Sequence, residues 1–353
     1  MALANGPVTA PSVEDLVDAH RRRSDESSTE DAIFGPVGVK GVAGWYERVC
    51  SKALGAPVRR ALFFAASAGC VAGVELADGR QLVIKAYQRR WRLDLLRVVW
   101  SAQRRLVATG FACQVPEVAP FSFEGLSVSV ERLLADPGVR VLDPDEMSVS
   151  AESLATAAIT LRGENASPWV GMHAMDRPSG SLYPVPHSPL FDFNLNAEEA
   201  GWIDELASAG LAAQELDDSP PQMLHGDWSA RNIRVVGGRL VASYDWDSLG
   251  AFKESLAVGV AAATWRSIGE AHDPAAPDTM EIEAYLDAYT CAADGSRGRS
   301  WRTAAMGSAL YALAYTARCE HSRQARDPRQ QPRRARETLQ ADRRRFLAMV
   351  ELH

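Results

Sequence analysis

Three residues in one short stretch have the types and spacing of a phosphoryl-transfer centre. Asp227 lies in Leu224-His225-Gly226-Asp227-Trp228-Ser229-Ala230-Arg231-Asn232, with Asn232 five positions on, and Asp245 follows thirteen positions later in Tyr244-Asp245-Trp246-Asp247. Such chemistry needs a carboxylate to receive a proton from an alcohol. It also needs an amide oxygen and a second carboxylate to hold Mg²⁺ on nucleotide phosphates. Asp227 is the candidate catalytic base, which would accept a proton from, or orient, a hydroxyl attacking the γ-phosphate. Asn232 offers the metal a neutral oxygen and Asp245 a charged one. Alone, Asp227 reads as a turn residue capping a loop; Asn232 and Asp245 in register shift the reading to chemistry.

Three neighbours support the set. His225 is read as holding the loop through hydrogen bonds rather than as an acid or base. Arg231 is a candidate for meeting phosphate or fixing Asp245, with a surface ion pair as the equal alternative. Asp247 would share a face with Asp245 if the strand continued; a turn there would make it a loop organiser or a substrate contact.

These residues need a scaffold. Residues 233–236 and 240–244 read as short strands joined by Gly237-Gly238. Upstream, an apolar run at 58–66 leads into Ser67-Ala68-Gly69-Cys70-Val71-Ala72-Gly73, then Val74-Glu75-Leu76, an Asp78-Gly79 turn and Leu82-Val83-Ile84-Lys85. That pattern predicts three antiparallel strands. Ser67 and Gly69 would let backbone approach a phosphate, although any hairpin uses such residues and the stretch is no G-x-G-x-x-G. Residues 91–109 predict a helix with Leu93, Leu96, Val99, Trp100 and Leu106 on its apolar side and Gly110 at its end. Two more strands fall within 118–131. Beyond Ala135-Asp136-Pro137-Gly138 the pattern is mainly helical, at 145–161, 197–216, 255–268, 279–292, 300–319 and 333–350. Residues 1–35 read as a flexible extension with a short helix at 13–20.

His-Gly-Asp at 225–227 and Asp-Trp-Asp at 245–247 resemble the aminoglycoside phosphotransferase/choline kinase-like family, which has a protein-kinase-like fold. The resemblance spans residues 58 to 316 and is strongest at 224–249. It implies an α+β fold of two lobes: a small antiparallel-sheet N-lobe at 36–132 and a mainly helical C-lobe at 133–353 with the catalytic loop and acceptor site. Lys85 matches the strand lysine that contacts the α- and β-phosphates; an exposed-edge lysine is the alternative. The chain has four lysines against 34 arginines, which makes this one conspicuous. Glu131 and Leu133 fall in the linker that would hold the nucleotide base. Relatives pair the strand lysine with an acid on the following helix, where this chain has Val99, leaving Asp94 or Gln103 as its expected partner.

The implied cofactors are Mg²⁺ and ATP or GTP as phosphate donor; the implied partner is a small-molecule hydroxyl substrate. An antibiotic-type natural product is the first reading, and choline, homoserine or a sugar the metabolic alternative. A metal-dependent hydrolase using His225, Asp227, Asp245 and Asp247 would want more histidines and leaves Lys85 and Asn232 unexplained. An inactive nucleotide-binding module sits poorly with a complete Asp/Asn/Asp set. The insertion 167–193, with Trp169, His173, Tyr183, His187 and Phe191, is a candidate wall of the acceptor site, or else a packed surface loop.

Composition narrows the classes. The net charge of −7 argues against a protein that coats nucleic acid. The arginine-rich run at 323–345 reads as a solvated helix face. Five scattered cysteines without metal-ligand spacing predict reduced thiols and a cytoplasmic setting. No signal peptide or membrane span is expected, and no obligate protein partner is evident.

Overall fold

The computed structural model describes residues 10–23, 28–66, 69–89, 91–134, 142–164, 177–186, 191–268, 275–295, 297–327, 329 and 334–351. The chain divides into two compact units. The first comprises residues 1–107 and 114–136, and the second residues 108–113 and 137–353.

The first unit opens with three helices, α1 (Val13–Arg23), α2 (Ser28–Phe34) and α3 (Gly38–Arg48), the last continued by a π-helical turn at Val49–Ala53. Strands β1 (Val58–Ala66), β2 (Gly69–Leu76) and β3 (Gln81–Tyr87) follow, then α4 (Leu93–Ala108), β4 (Pro116–Phe123) and β5 (Leu126–Arg132). The five strands form one antiparallel sheet in the order β1-β2-β3-β5-β4.

Alternation along the strands gives the sheet two different faces. Leu82, Ile84 and Ala86 of β3 join Leu126, Val128 and Val130 of β5 in one apolar core with Val42, Trp45, Tyr46 and Val49. The intervening residues, Lys85 and Tyr87 on β3 and Ser129 and Glu131 on β5, occupy the other, polar face. There the Tyr87 and Ser129 hydroxyls lie 2.9 Å apart.

The expectation of a flexible extension at 1–35 meets helices packed on the core where it falls on described residues, 10–23 and 28–35. Val13, Val17 and Ile33 are buried in the apolar core, and the Ala61 N–H of β1 donates to the Pro11 carbonyl at 3.0 Å. Glu30 is wholly buried and accepts from Arg21 Nε at 2.5 Å. The physical reason lies in the sheet: its apolar face needs a cover, and the N-terminal helices supply it. The first unit therefore includes residues before 36.

The second unit contains α5 (Glu146–Leu161), α6 (Gly201–Gln214), β6 (Gln222–His225), β7 (Ile233–Val235), β8 (Leu240–Ser243), β9 (Leu249–Phe252), α7 (Glu254–Thr264), α8 (Thr279–Ala292), α9 (Arg299–Arg326) and α10 (Ala335–Val350). Helix α9 is buried along most of its length and forms the axis against which α6, α7 and α10 pack. Two glycines set the closest approaches. A Cβ at Gly259 of α7 would stand 2.1 Å from the Ala305 carbonyl oxygen of α9, and one at Gly210 of α6 would stand 2.6 Å from that of Gly307. Only a residue without a side chain permits such backbone contact. Helix α8 starts with a capping box between Asp278 and Glu281.

Two short antiparallel ladders interrupt the helices. β6 pairs with β9, and β7 with β8.

Candidate active site

The ladders hold the three candidate residues by their ends. β6 stops at His225, and Asp227 lies two residues beyond. Asn232 immediately precedes β7, and Asp245 lies just past β8 and before β9. The Tyr244 N–H donates to the Asn232 carbonyl at 2.8 Å, and the Gly226 N–H to that of Ser248 at 3.0 Å. The loop carrying Asp227 and Asn232 is therefore stitched at both ends to the segment carrying Asp245.

Tryptophan anchors flank the acids. Trp228 and Trp246, each directly after an aspartate, are fully buried, whereas Asp227 and Asp245 are exposed. Trp228 Nε1 donates to the Ser150 carbonyl at 3.0 Å, and Trp246 Nε1 to Ser243 Oγ at 3.1 Å. The His225 ring packs edge-on between them, with centroids 5.4 Å and 4.9 Å away. Each anchor pulls its own side chain inward and leaves the preceding carboxylate at the surface. The sequence reading passed over both tryptophans; the repeated Asp-Trp pair was the available signal.

The His225 ring bonds both segments of the loop. The carbonyl oxygen of Tyr244 lies 2.9 Å from Nε2, which must donate to it. Nδ1 accepts from the Asp227 N–H at 3.2 Å and lies 3.0 Å from Ser248 Oγ. Both ring nitrogens thus fix backbone or its immediate neighbours.

Asn232 is buried and donates through Nδ2 to both the carbonyl and the Oδ2 of Asp227, each at 2.9 Å. The amide nitrogen orients the candidate base, leaving the amide oxygen as the atom with the chemistry a hard cation requires. Asp245 adopts a left-handed backbone conformation, φ 57°, and its carbonyl accepts from Ser248 N–H at 3.0 Å. A non-glycine residue there carries strain of about 1–3 kcal/mol, which tends to persist where the site needs it. The chain turns at Trp246–Ser248, so Asp247 does not continue the Asp245 face.

The Asp227 carboxyl lies above the usual carboxylate range. Crowding by surrounding protein is the main cause, the Asp245 charge adds to it, and Arg231 and the Asn232 hydrogen bond oppose it. Arg231 is itself exposed and acts on Asp227 as a nearby positive charge.

In the first unit, Lys85 is buried rather than an exposed-edge residue, and its Nζ stands 3.8 Å from Glu131 Oε2. Asp94, one of its expected partners, pairs with Arg92 at the surface. Glu131, expected in a base-holding linker, lies inside β5 with its side chain buried beside Lys85, because the strand runs on to Arg132. Leu133 follows the strand, and its N–H bonds the Gln81 carbonyl at 2.9 Å, so its carbonyl is what it can offer a nucleotide. A Cβ at Gly69 would stand 3.0 Å from the Ala86 carbonyl oxygen, so strand pairing alone accounts for that glycine. Ser67 lies outside the described residues.

The insertion is described at 177–186 and 191–193; Trp169, His173 and His187 lie outside the described residues. Tyr183 donates to Asp204 Oδ1 of α6 at 2.8 Å and stacks on Tyr311 of α9. Buried Arg318 of α9 meets Asp204 at 3.3 Å and bonds the Phe193 carbonyl. Pro178, Tyr183, Val185, Phe191, Asn194 and Arg326 line part of an open groove of about 640 Å³ beside these contacts.

All five cysteines are free thiols, and burial pushes those of Cys50, Cys70 and Cys319 up to about 12. Among the described residues no helix is long and apolar enough to cross a membrane, and no group of three or more His, Cys, Asp or Glu side chains is arranged to hold a metal unaided.

No family model matches the sequence, and no curated protein matches it significantly. Solved structures do match. Amicoumacin kinase hAmiN, in complex with AMP-PNP, Ca²⁺ and Ami, aligns over 82% of this chain and 88% of its own at 12% identity, with a TM-score of 0.52. An aminoglycoside phosphotransferase from Alicyclobacillus acidocaldarius subsp. acidocaldarius aligns over 83% of this chain and 91% of its own at 13% identity, with a TM-score of 0.51. At these identities the likeness concerns architecture, and the chain has the protein-kinase-like α+β fold that these two phosphotransferases share.

Proposed function

We propose that this chain is a small-molecule O-phosphotransferase that moves the γ-phosphate of ATP or GTP to a substrate hydroxyl with Mg²⁺. The observation that carries the reading is the Asn232 amide. Its nitrogen holds Asp227 by two hydrogen bonds, which turns its oxygen into the amide's acceptor atom for a metal ion. A hydrolase built on His225 finds no support in this arrangement, since both ring nitrogens are engaged in holding the loop.

The donor set fits Mg²⁺. This ion takes one or two protein carboxylates plus substrate phosphates rather than a protein-only cage. Asn232 and Asp245 would hold it, and when bound it would neutralise charge on the phosphates. Asp227 Oδ1 or Oδ2 accepts the acceptor hydroxyl's proton as the new O–P bond forms and the bond to the leaving nucleotide oxygen breaks. Little covalent work falls to the protein, so positioning dominates. Lys85 supplies positive charge for the α- and β-phosphates.

We assign the acceptor to the helical unit, with the insertion 167–193 forming part of its wall. The open groove of about 640 Å³ beside Tyr183, lined by insertion residues, has the volume of a small-molecule site. The two structurally similar enzymes are named for antibiotics, which favours an antibiotic-type natural product as acceptor.

Transfer of label from γ-labelled ATP and GTP to a panel of aminoglycosides, peptide and nucleoside antibiotics, choline, homoserine and sugars tests the reading. Mg²⁺-dependent label in one of these acceptors is expected. Release of free phosphate alone, at a rate no acceptor changes, would favour a hydrolase. No nucleotide consumption at all would leave a binding module.

A further inference from the structure

Among the described residues, an acid facing Lys85 is carried by the sheet. In the β3–β5 ladder Val83 stands opposite Glu131, and Lys85 opposite Ser129. Residues two apart on a strand share a face, so Lys85 and Glu131 are diagonal neighbours, a separation that long side chains bridge. The 3.8 Å between Nζ and Oε2, with both side chains 5% exposed, is that diagonal. The other carboxylate oxygen, Oε1, accepts from Gln103 Nε2 of α4 at 2.7 Å, and Gln103 is buried too.

The three side chains act on one another in order. A buried charge persists only when paired and hydrogen-bonded, so Lys85 and Glu131 hold each other in place. An acid on a helix would move with that helix; one on β5 is held by the ladder it shares with the lysine. Helix α4 contributes a neutral donor in place of a charge, and that donor fixes the Glu131 carboxylate.

We propose that Glu131 is the positioning residue that sets the Lys85 ammonium for the nucleotide phosphates, and that Gln103 acts through Glu131 by orienting its carboxylate. This rests on the phosphotransferase reading above. Readiness for nucleotide is then built into the register of the sheet and does not require α4 to deliver an acid.

The test uses the full chain as wild type, Glu131→Gln, Gln103→Met and the double variant. Each is measured for AMP-PNP affinity with Mg²⁺, for ADP release from ATP and for thermal unfolding. A misplaced reacting group costs on the order of 10²-fold, and Glu131→Gln should lose about that much in kcat/KM for ATP. Gln103→Met should lose about tenfold, as orienting partners do, with its melting temperature near that of the wild type. The double variant should be no worse than Glu131→Gln alone, since residues acting in series are not additive.

Additive losses would overturn the route through Glu131. If Glu131→Gln does not fold, Gln103→Met decides alone: a raised KM for ATP at unchanged stability supports the proposal, and an unchanged KM overturns it. A wild-type chain that neither binds AMP-PNP nor releases ADP would overturn the phosphotransferase reading and this inference together. Ordinary wild-type turnover with Glu131→Gln unimpaired would overturn this inference alone.

Discussion

The two charged clusters of this protein are built in opposite ways. Lys85, Glu131 and Gln103 are buried side chains placed by sheet register and by one helix. Asp227 and Asp245 are exposed side chains on loops, placed by what their neighbours do: Trp228 and Trp246 sink into the core, and His225 ties the two segments together. A buried cluster keeps its geometry because breaking it strands a charge. An exposed one stays open to metal and substrate, and it owes its geometry to anchors that do no chemistry. Loops positioned on a rigid scaffold are where catalytic groups usually lie.

The difference can be broken first at an anchor. Replacing Trp246 by Ala should cost about 3–5 kcal/mol of stability, the range for large aromatic truncations in a core. It should also abolish turnover, because the Asp245 turn loses its footing. Chemical denaturation of the helical unit, followed beside AMP-PNP binding, checks both. Full turnover in a stable Trp246→Ala chain would show that the loop holds itself.

The sheet cluster can be probed from behind, through the apolar face it does not occupy. Val17 of α1 is fully buried there. Val17→Ala should cost about 2 kcal/mol, within the value of one buried aliphatic side chain, and equilibrium unfolding measures it. A cost near zero would return residues 1–35 to the role of a dispensable extension.

The smallest effect sharpens the electrostatic side. Arg231 lowers the Asp227 pKa, so removing its charge raises that pKa further. The base works when ionised, and its ionised fraction falls as pH drops through its pKa. Arg231→Met should therefore move the acid limb of kcat/KM for the transfer reaction to higher pH. A limb that stays put or moves down would show that Arg231 does not act on Asp227.

What was legible in the sequence divides along the same line. Asp227, Asn232 and Asp245 lie within one local stretch, so their spacing could be read from the sequence, as could a loop position for His225. The pairing of Lys85 with Glu131 was not legible. It depends on which residues of β3 and β5 stand opposite each other, and nothing local specifies a register between strands so far apart in sequence. Of the two expected helix partners, Asp94 pairs with Arg92 instead, and Gln103 bonds Glu131. The five-stranded sheet followed from alternation and turn residues. Its N-terminal cover did not, because α1 carries few apolar residues among many charges, and their burial appears only once the bare face of the sheet is seen.

The most direct test of the central claim is Asp227→Asn, measured as the rate of phosphate transfer from ATP beside the affinity for AMP-PNP with Mg²⁺. General-base assistance is worth about 10²–10⁴-fold in rate. The account predicts a loss in that range with nucleotide affinity and fold preserved, since an amide keeps the shape and the Asn232 contact to the backbone carbonyl. Turnover near the wild-type rate would contradict it and leave Asp227 as a residue of the loop rather than of the reaction.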